Sequence, residues 1–285
     1  MSLADHAARE GLRQVGGRPP FGAYVRDVWR HRPFIYRLAR FRIEAENGRN
    51  RLGMGWVILK PTINAAVYGT VFGILLGARA RPEHYILFLF IGVFFFDYFS
   101  ECFGSGAKSI TRNANLVQSL NFPRMSLPLA LVTQRFLQFM PIVGLVLLVV
   151  MLSGVRPTLE WLQLIPLIVL FTLFNAGLTM VTARLTVHFR DLTQLLPFAS
   201  RLLFYTSGVF YSINKRFAGH EKFLTVAGYQ PVHEIMTLAR GALLEGPDYV
   251  VPPHYWLFVT VWSVAVFIGG SLFFWAAEER YGRVD

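Results

Sequence analysis

Asp97 and Glu101 stand four residues apart inside an apolar run. On a helix that spacing puts both carboxylates on one face. Acids placed among so many apolar residues need a partner or a wet cavity. Arg135 and Arg201, each within another apolar run, are the available partners. Structural ion pairing is the first reading of these four residues and a proton relay the second. His188, Arg190 and Asp191 could form an acid–base group, yet no nucleophile or oxyanion donor accompanies them, so a charged turn is the better reading. His220, His233 and His254 lack metal-ligand spacing, and His233-Glu234 lacks the second histidine of HExxH. Gly104 to Ser109 is rich in small residues but does not meet the GxxxxGK[ST] spacing of a phosphate loop. The chain is therefore expected to be no enzyme and to hold no metal or nucleotide of its own.

These residues sit in a chain built of long apolar stretches. A hydrocarbon core of about 30 Å requires about 20 helical residues to cross it. Six stretches meet that length, near residues 56–77, 85–105, 127–152, 161–187, 194–213 and 256–277. The expected fold is an all-α polytopic membrane protein with six transmembrane helices. Of the 28 Lys and Arg residues, eleven precede residue 56, and further ones cluster at 106–126, 184–193 and 278–285. Basic segments beside span ends stay on the cytoplasmic side, which predicts both termini cytoplasmic. The net charge of +11 is concentrated in the N-terminal arm, which points to an anionic membrane surface rather than nucleic acid. The one cysteine, Cys102, permits no intramolecular disulfide. No secretory signal precedes the first span, which is expected to direct insertion itself. Basic residues that are mostly Arg point to a GC-rich bacterial genome.

Three regions are organised differently. Residues 1–20 carry glycine, proline and charge without apolar period and read as a flexible cytoplasmic lead. Residues 21–50 read as amphipathic interfacial helices. Phe21, Tyr24, Val25, Val28 and Trp29 form one face opposite Arg26 and Arg30, and Pro33 opens a second helix from Phe34 to Glu46. Residues 51–285 form the transmembrane domain. Within it Lys60 reads as a snorkelling anchor, and Gly69, Gly73 and Gly77 as a small-residue face for close helix contact. Ser105 to Ser126 carries Lys108, Arg112 and Arg124 without an acid and reads as a short cytoplasmic helix. Residues 214–255 are too interrupted to span and read as short re-entrant or interfacial helices before the last span.

The segments Leu52–Pro61, Tyr85–Gly92, Asn113–Pro128, Arg190–Leu192 and Gly208–Tyr211 together resemble the permease subunit of ABC-2 polysaccharide exporters of the Wzm type, which serve O-antigens, capsules and teichoic acids. Within that family the galactan exporters of mycobacterial cell walls are the nearest likeness. The most specific part is Asn113-Ala-Asn-Leu-Val117 followed by Asn121-Phe-Pro-Arg124 and Leu127-Pro128. Departures are Phe94 to Phe96 in place of a tryptophan, Gln118-Ser119 in place of a lysine pair, Ser207-Gly208 in place of Ser-Pro, and Gln230-Pro231 in place of Asn-Pro.

The resemblance implies a homodimer of this chain bound to two copies of an ABC ATPase, in a bacterial plasma membrane. The partner would bind ATP and Mg²⁺, and the pair would export a polyprenyl-pyrophosphate-linked glycan. It assigns Lys108, Arg112, Asn113, Asn115, Leu116, Asn121, Phe122, Pro123 and Arg124, with Arg190 and Asp191, to a coupling helix and its surroundings. Phe94, Phe95, Tyr98, Phe99, Phe204, Tyr205, Phe210 and Tyr211 would line a glycan channel, with plain packing as the competing role of each. Arg26, Arg30, Arg40 or Arg42 would meet the pyrophosphate as the membrane lipid carrier is loaded. The rival readings are an ABC-2 exporter of lipids or small hydrophobic compounds, a membrane-embedded transferase acting on lipid-linked sugars, and a scaffold.

Overall fold

The computed structural model describes residues 19–48, 51–53, 55–75, 82–120, 122–217, 219–278 and 281. Among them every regular element is helical. Helix α1 (Phe21–Arg30) and α2 (Arg32–Asn47) form the N-terminal arm, and Pro33 occupies the first turn of α2, where a missing N–H leaves no bond unmade. There follow α3 (Gly55–Leu75), α4 (Tyr85–Ala107), a short 3₁₀ turn at Thr111–Asn113, α5 (Ala114–Ser119), α6 (Ser126–Leu152) and α7 (Leu164–His188). The C-terminal part is α8 (Leu192–Thr206), α9 (Ile213–Arg216), α10 (Glu221–Gly228), α11 (Pro231–Leu243) and α12 (His254–Trp275).

Among the described residues, five helical segments are long and apolar enough to cross a membrane, and they correspond to α3, α4, α6, α7 and α12. The run at 194–213, expected as a further span, forms a shorter helix, Leu192–Thr206. It ends at Thr206 after 15 residues, about 22 Å at 1.5 Å per residue. The chain then reverses at Gly208, whose φ of 71° suits glycine. A buried arginine makes this break stable: on α11, Arg240 donates to the carbonyls of Gly208 and Val209 at 3.0 Å each and of Phe88 at 3.2 Å. His233 and Gln230 hold Ser207 from the same helix, through its carbonyl and its hydroxyl. The carbonyls freed at the helix end are satisfied by side chains rather than by another helical turn.

The short helix expected within Ser105–Ser126 lies at Ala114–Ser119. Helix α4 itself runs on to Ala107, and the separate helix α5 covers only six residues.

The core gathers around α4. Phe95 and Tyr98 stack with Phe139 of α6 and Phe171 of α7, ring centroids lying 4.5 to 5.9 Å apart. Helix α3 is the least enclosed of the five, with Ile58, Ile63, Val67, Val71 and Ile74 exposed. The most extensive helix pair is α7 with α12. There Gly177 and Gly270 face each other so closely that a Cβ on either would overlap the other helix's backbone. The expected contact face at Gly69 and Gly73 is looser: a Cβ there would meet single side-chain atoms at 3.2 and 3.9 Å, and Gly77 lies outside the described residues.

Candidate functional site

A charged cluster joins the C-terminal ends of α2 and α4 to the N-terminal half of α6. Arg135 grips Glu46 through both of its terminal nitrogens, at 3.3 and 3.2 Å, and lies 3.4 Å from Glu101. Gln138 accepts from Arg135 at 2.9 Å and donates to Glu46 at 3.2 Å. A fork-shaped guanidinium between two carboxylates is the arrangement that holds such a charge in a poorly solvated place. Of the expected ion pairing of Asp97 and Glu101 with Arg135 and Arg201, the pair Arg135–Glu101 forms. Among the described residues Asp97 and Arg201 form no ion pair; α8 meets α4 through Ser200 and Ser100, 2.6 Å apart, and Arg201 is exposed.

Beside this cluster opens a cavity of about 450 Å³ between α3, α4 and α6. Asp97, Glu101, Asn64, Gln138 and Lys60 line it together with the rings of Trp56 and Tyr98. It mixes hydrogen-bonding groups of both kinds with aromatic faces, which is the combination that a hydroxyl-rich ring requires.

The aromatic residues assigned to a channel fall into two groups. Phe94, Phe95 and Phe99 are each 1% exposed, and Tyr98 and Phe210 are also buried, so packing is their role within this chain. Burying so many rings in α4 builds the protomer core and leaves them no open face. Tyr205 is half exposed, Phe204 is half-buried against Tyr68 and Phe96, and the Tyr211 hydroxyl donates to the Tyr205 carbonyl at 2.9 Å.

The basic residues around α5 do converge. Lys108, Arg112 and Arg190, with Thr111, Thr186 and Thr193, line a second cavity of about 400 Å³ between α5 and the α7–α8 turn. Asn113 fixes the approach to α5 by donating to the Ser109 carbonyl at 2.7 Å. Asn115 is exposed, Leu116 is half-buried, and Val117 is buried in the bundle. Asn121 lies outside the described residues. Beyond it Phe122 packs on Phe34 of α2, Pro123 is buried, and Asp191 is exposed at the start of α8.

On the arm, Arg26, Arg30 and Arg40 are exposed, Arg40 pairing with Glu44 one turn on at 3.7 Å. Arg42 differs. It is half-buried next to Arg135, and burial followed by that like charge lowers its pKa from the usual guanidinium value. It therefore faces the bundle rather than a lipid phosphate.

Sequence reasoning passed over Glu46 and Arg240. Glu46 ends an amphipathic helix and looked like an ordinary surface acid. Arg240 follows Ile235, Leu238 and Ala239 on an otherwise apolar helix, and a lone cation in such a place was the available signal.

Residues 42–243 match the family described as ABC-2 type transporter. The chain is 27% identical over 195 residues to the O-antigen export system permease protein RfbA of Klebsiella pneumoniae, covering 68% of this chain and 73% of that protein. It is 29% identical over 191 residues to the O-antigen export system permease protein RfbA of Myxococcus xanthus, covering 67% and 72%. The polysialic acid transport protein KpsM of Escherichia coli is 22% identical over 235 residues, covering 81% and 88%. The matched region runs from the end of α2 through α11 and so includes the Arg135 cluster, the α5 cavity and the broken α8. This chain belongs to the ABC-2 type transporter family, as a non-catalytic, multi-pass permease of the polysaccharide-exporting kind.

Proposed function

We propose that this permease exports a polyprenyl-pyrophosphate-linked polysaccharide, galactan or O-antigen-like, across the bacterial plasma membrane. Two copies of the chain work with two copies of a separate ATPase, and both termini face the cytoplasm. The observation that carries this reading is the similarity to O-antigen export permeases over two thirds of the chain. The structure supports the division of labour in two ways. The α5 cavity places Lys108, Arg112 and Arg190 where an acidic surface of a partner could sit, with Asn115 projecting beside it. Helices α3 and α8 expose apolar stripes, Ile63, Val67, Val71 and Ile74 on one and Leu195, Phe198, Leu202 and Tyr205 on the other, suited to lipid and a second copy of the chain.

For the glycan, the cavity of Trp56, Asn64, Asp97 and Gln138 offers acceptors and donors for hydroxyls and an aromatic face for sugar C–H groups. Tyr205 adds an exposed ring on α8. The three outward arginines of the arm, Arg26, Arg30 and Arg40, supply phosphate contacts at the loading side.

Depleting the protein tests the reading. Lipid-linked glycan should accumulate inside the cell while its synthesis continues. Arrest of synthesis, or loss of a simple lipid's transport with glycan export intact, would overturn it.

A further inference from the structure

Three parts of the chain that are far apart in sequence converge on one carboxylate. Glu278, just beyond α12, is 4% exposed, and Tyr24 of α1 is 2% exposed. The Tyr24 hydroxyl donates to Glu278 Oε2 at 2.7 Å and accepts from the backbone N–H of Met125 at 3.1 Å. The other oxygen, Glu278 Oε1, accepts from the backbone N–H of Arg124 at 3.0 Å, and the Arg124 guanidinium lies 3.5 Å from it. That guanidinium also donates to the Glu278 carbonyl at 3.2 Å. Tyr24 thus uses its one donor and a lone pair, and Glu278 uses both oxygens.

The surroundings make this junction stiff. Trp275 donates to the Pro19 carbonyl at 2.9 Å and meets the Phe21 ring edge-on at 5.5 Å. Val117, from the buried face of α5, belongs to the same apolar cluster as Tyr24, Val28, Phe274 and Tyr281. Charge-assisted bonds away from water are strong and directional. Burial raises the Glu278 pKa, while the bonds from Tyr24 and Arg124 oppose that rise. Removing the Tyr24 hydroxyl takes the donor from Glu278 Oε2 and the acceptor from the Met125 N–H.

We propose that Glu278 is a positioning residue that ties the interfacial helix α1 to the end of the coupling segment, so that movement imposed on α5 is passed to α1. This rests on the reading that a separate ATPase acts on α5. Helix α1 then moves with the motor rather than resting passively on the membrane, and its outward arginines, Arg26 and Arg30, shift with it. Glu278→Gln should break the link selectively. The amide has a single acceptor oxygen, so one of the two donors, the Tyr24 hydroxyl or the Arg124 N–H, loses its acceptor. Tyr24→Phe removes both bonds of the hydroxyl but keeps the ring.

The test uses the full-length permease with its ATPase in lipid nanodiscs. Hydrogen exchange is followed over Phe21–Arg30 and Ala114–Ser119, without nucleotide and with ATP plus vanadate. In the unaltered complex both segments should respond to nucleotide. In Glu278→Gln and Tyr24→Phe the α5 response should persist and the α1 response should be lost, and ATP hydrolysed per glycan exported should rise. A merely structural role would lower hydrolysis and export together at a constant ratio, and that result would overturn the proposal. So would an α1 response equal to the unaltered one in both variants. Should Glu278→Gln fail to fold, Tyr24→Phe decides alone. Absence of any α5 response in the unaltered complex would reject the ATPase-driven reading itself. A normal exchange pattern without glycan export would reject only the substrate.

Discussion

Replacing Arg240 with alanine should destabilise the protein. The guanidinium is 4% exposed, stands 3.4 Å over the Phe88 ring, and donates to the carbonyls of Gly208 and Val209 at the reversal after α8. Among the described residues no backbone N–H donates to either of those carbonyls. Each buried acceptor left without a donor costs about 1–3 kcal/mol, so the pair loses roughly 2–6 kcal/mol. At about 2 °C per kcal/mol, the end of the range suited to a longer chain, the melting temperature should fall by roughly 4–12 °C. The assay is a thermal melt of the detergent-solubilised protein, followed by the fraction remaining monodisperse. Arg240→Lys should recover only part of the loss, since one ammonium lacks the fork that reaches divergent carbonyls. An Arg240→Ala protein melting with the unaltered one would refute the reasoning, because water or another donor would then be supplying those bonds.

Gly177→Leu or Gly270→Leu should force α7 and α12 apart and reduce folded yield, with overpacking costs of about 1–3 kcal/mol or more. Gly144→Ala on α6, where an added Cβ meets nothing within 4 Å, should be neutral or slightly stabilising in the same melt. Glu46→Gln should release the end of α2 from Arg135 and speed hydrogen exchange over Arg32–Asn47, whereas Arg40→Gln, which breaks an exposed pair, should leave that exchange unchanged. Disrupting Asn115 and Leu116 together should abolish stimulation of the partner's ATPase while membrane insertion stays intact. Measured hydrolysis unchanged from the unaltered complex would count against α5 as the coupling helix.

Helix type and span position were legible where length and hydropathy agree. Tyr85–Ala107 and Ser126–Leu152 are so uniformly apolar that no other element fits, and Pro33 marked the start of α2 to within two residues. The end of the fifth apolar run was not legible, because Ser207-Gly208 is followed by Val209-Phe210-Tyr211, which continue the apolar pattern. Hydropathy does not register that Arg240, 32 residues onward, supplies the bonds that let the helix stop. Asp97 and Glu101 were visible as paired acids, but that Glu101 would share Arg135 with Glu46 was not. The aromatic density of α4 was equally visible, and its burial was not, since a row of phenylalanines reads alike whether it faces a conduit or a neighbouring helix. Buried junctions such as Tyr24 with Glu278 leave no local signature, because their members are 254 residues apart.

Reconstitution in proteoliposomes with purified ATPase and a lipid-linked glycan addresses the central claim most directly. Glycan should cross only when permease, ATPase and hydrolysable ATP are all present, and the permease alone should hydrolyse no nucleotide. Transport by the permease without the ATPase, or ATP hydrolysis by the lone chain, would contradict the account.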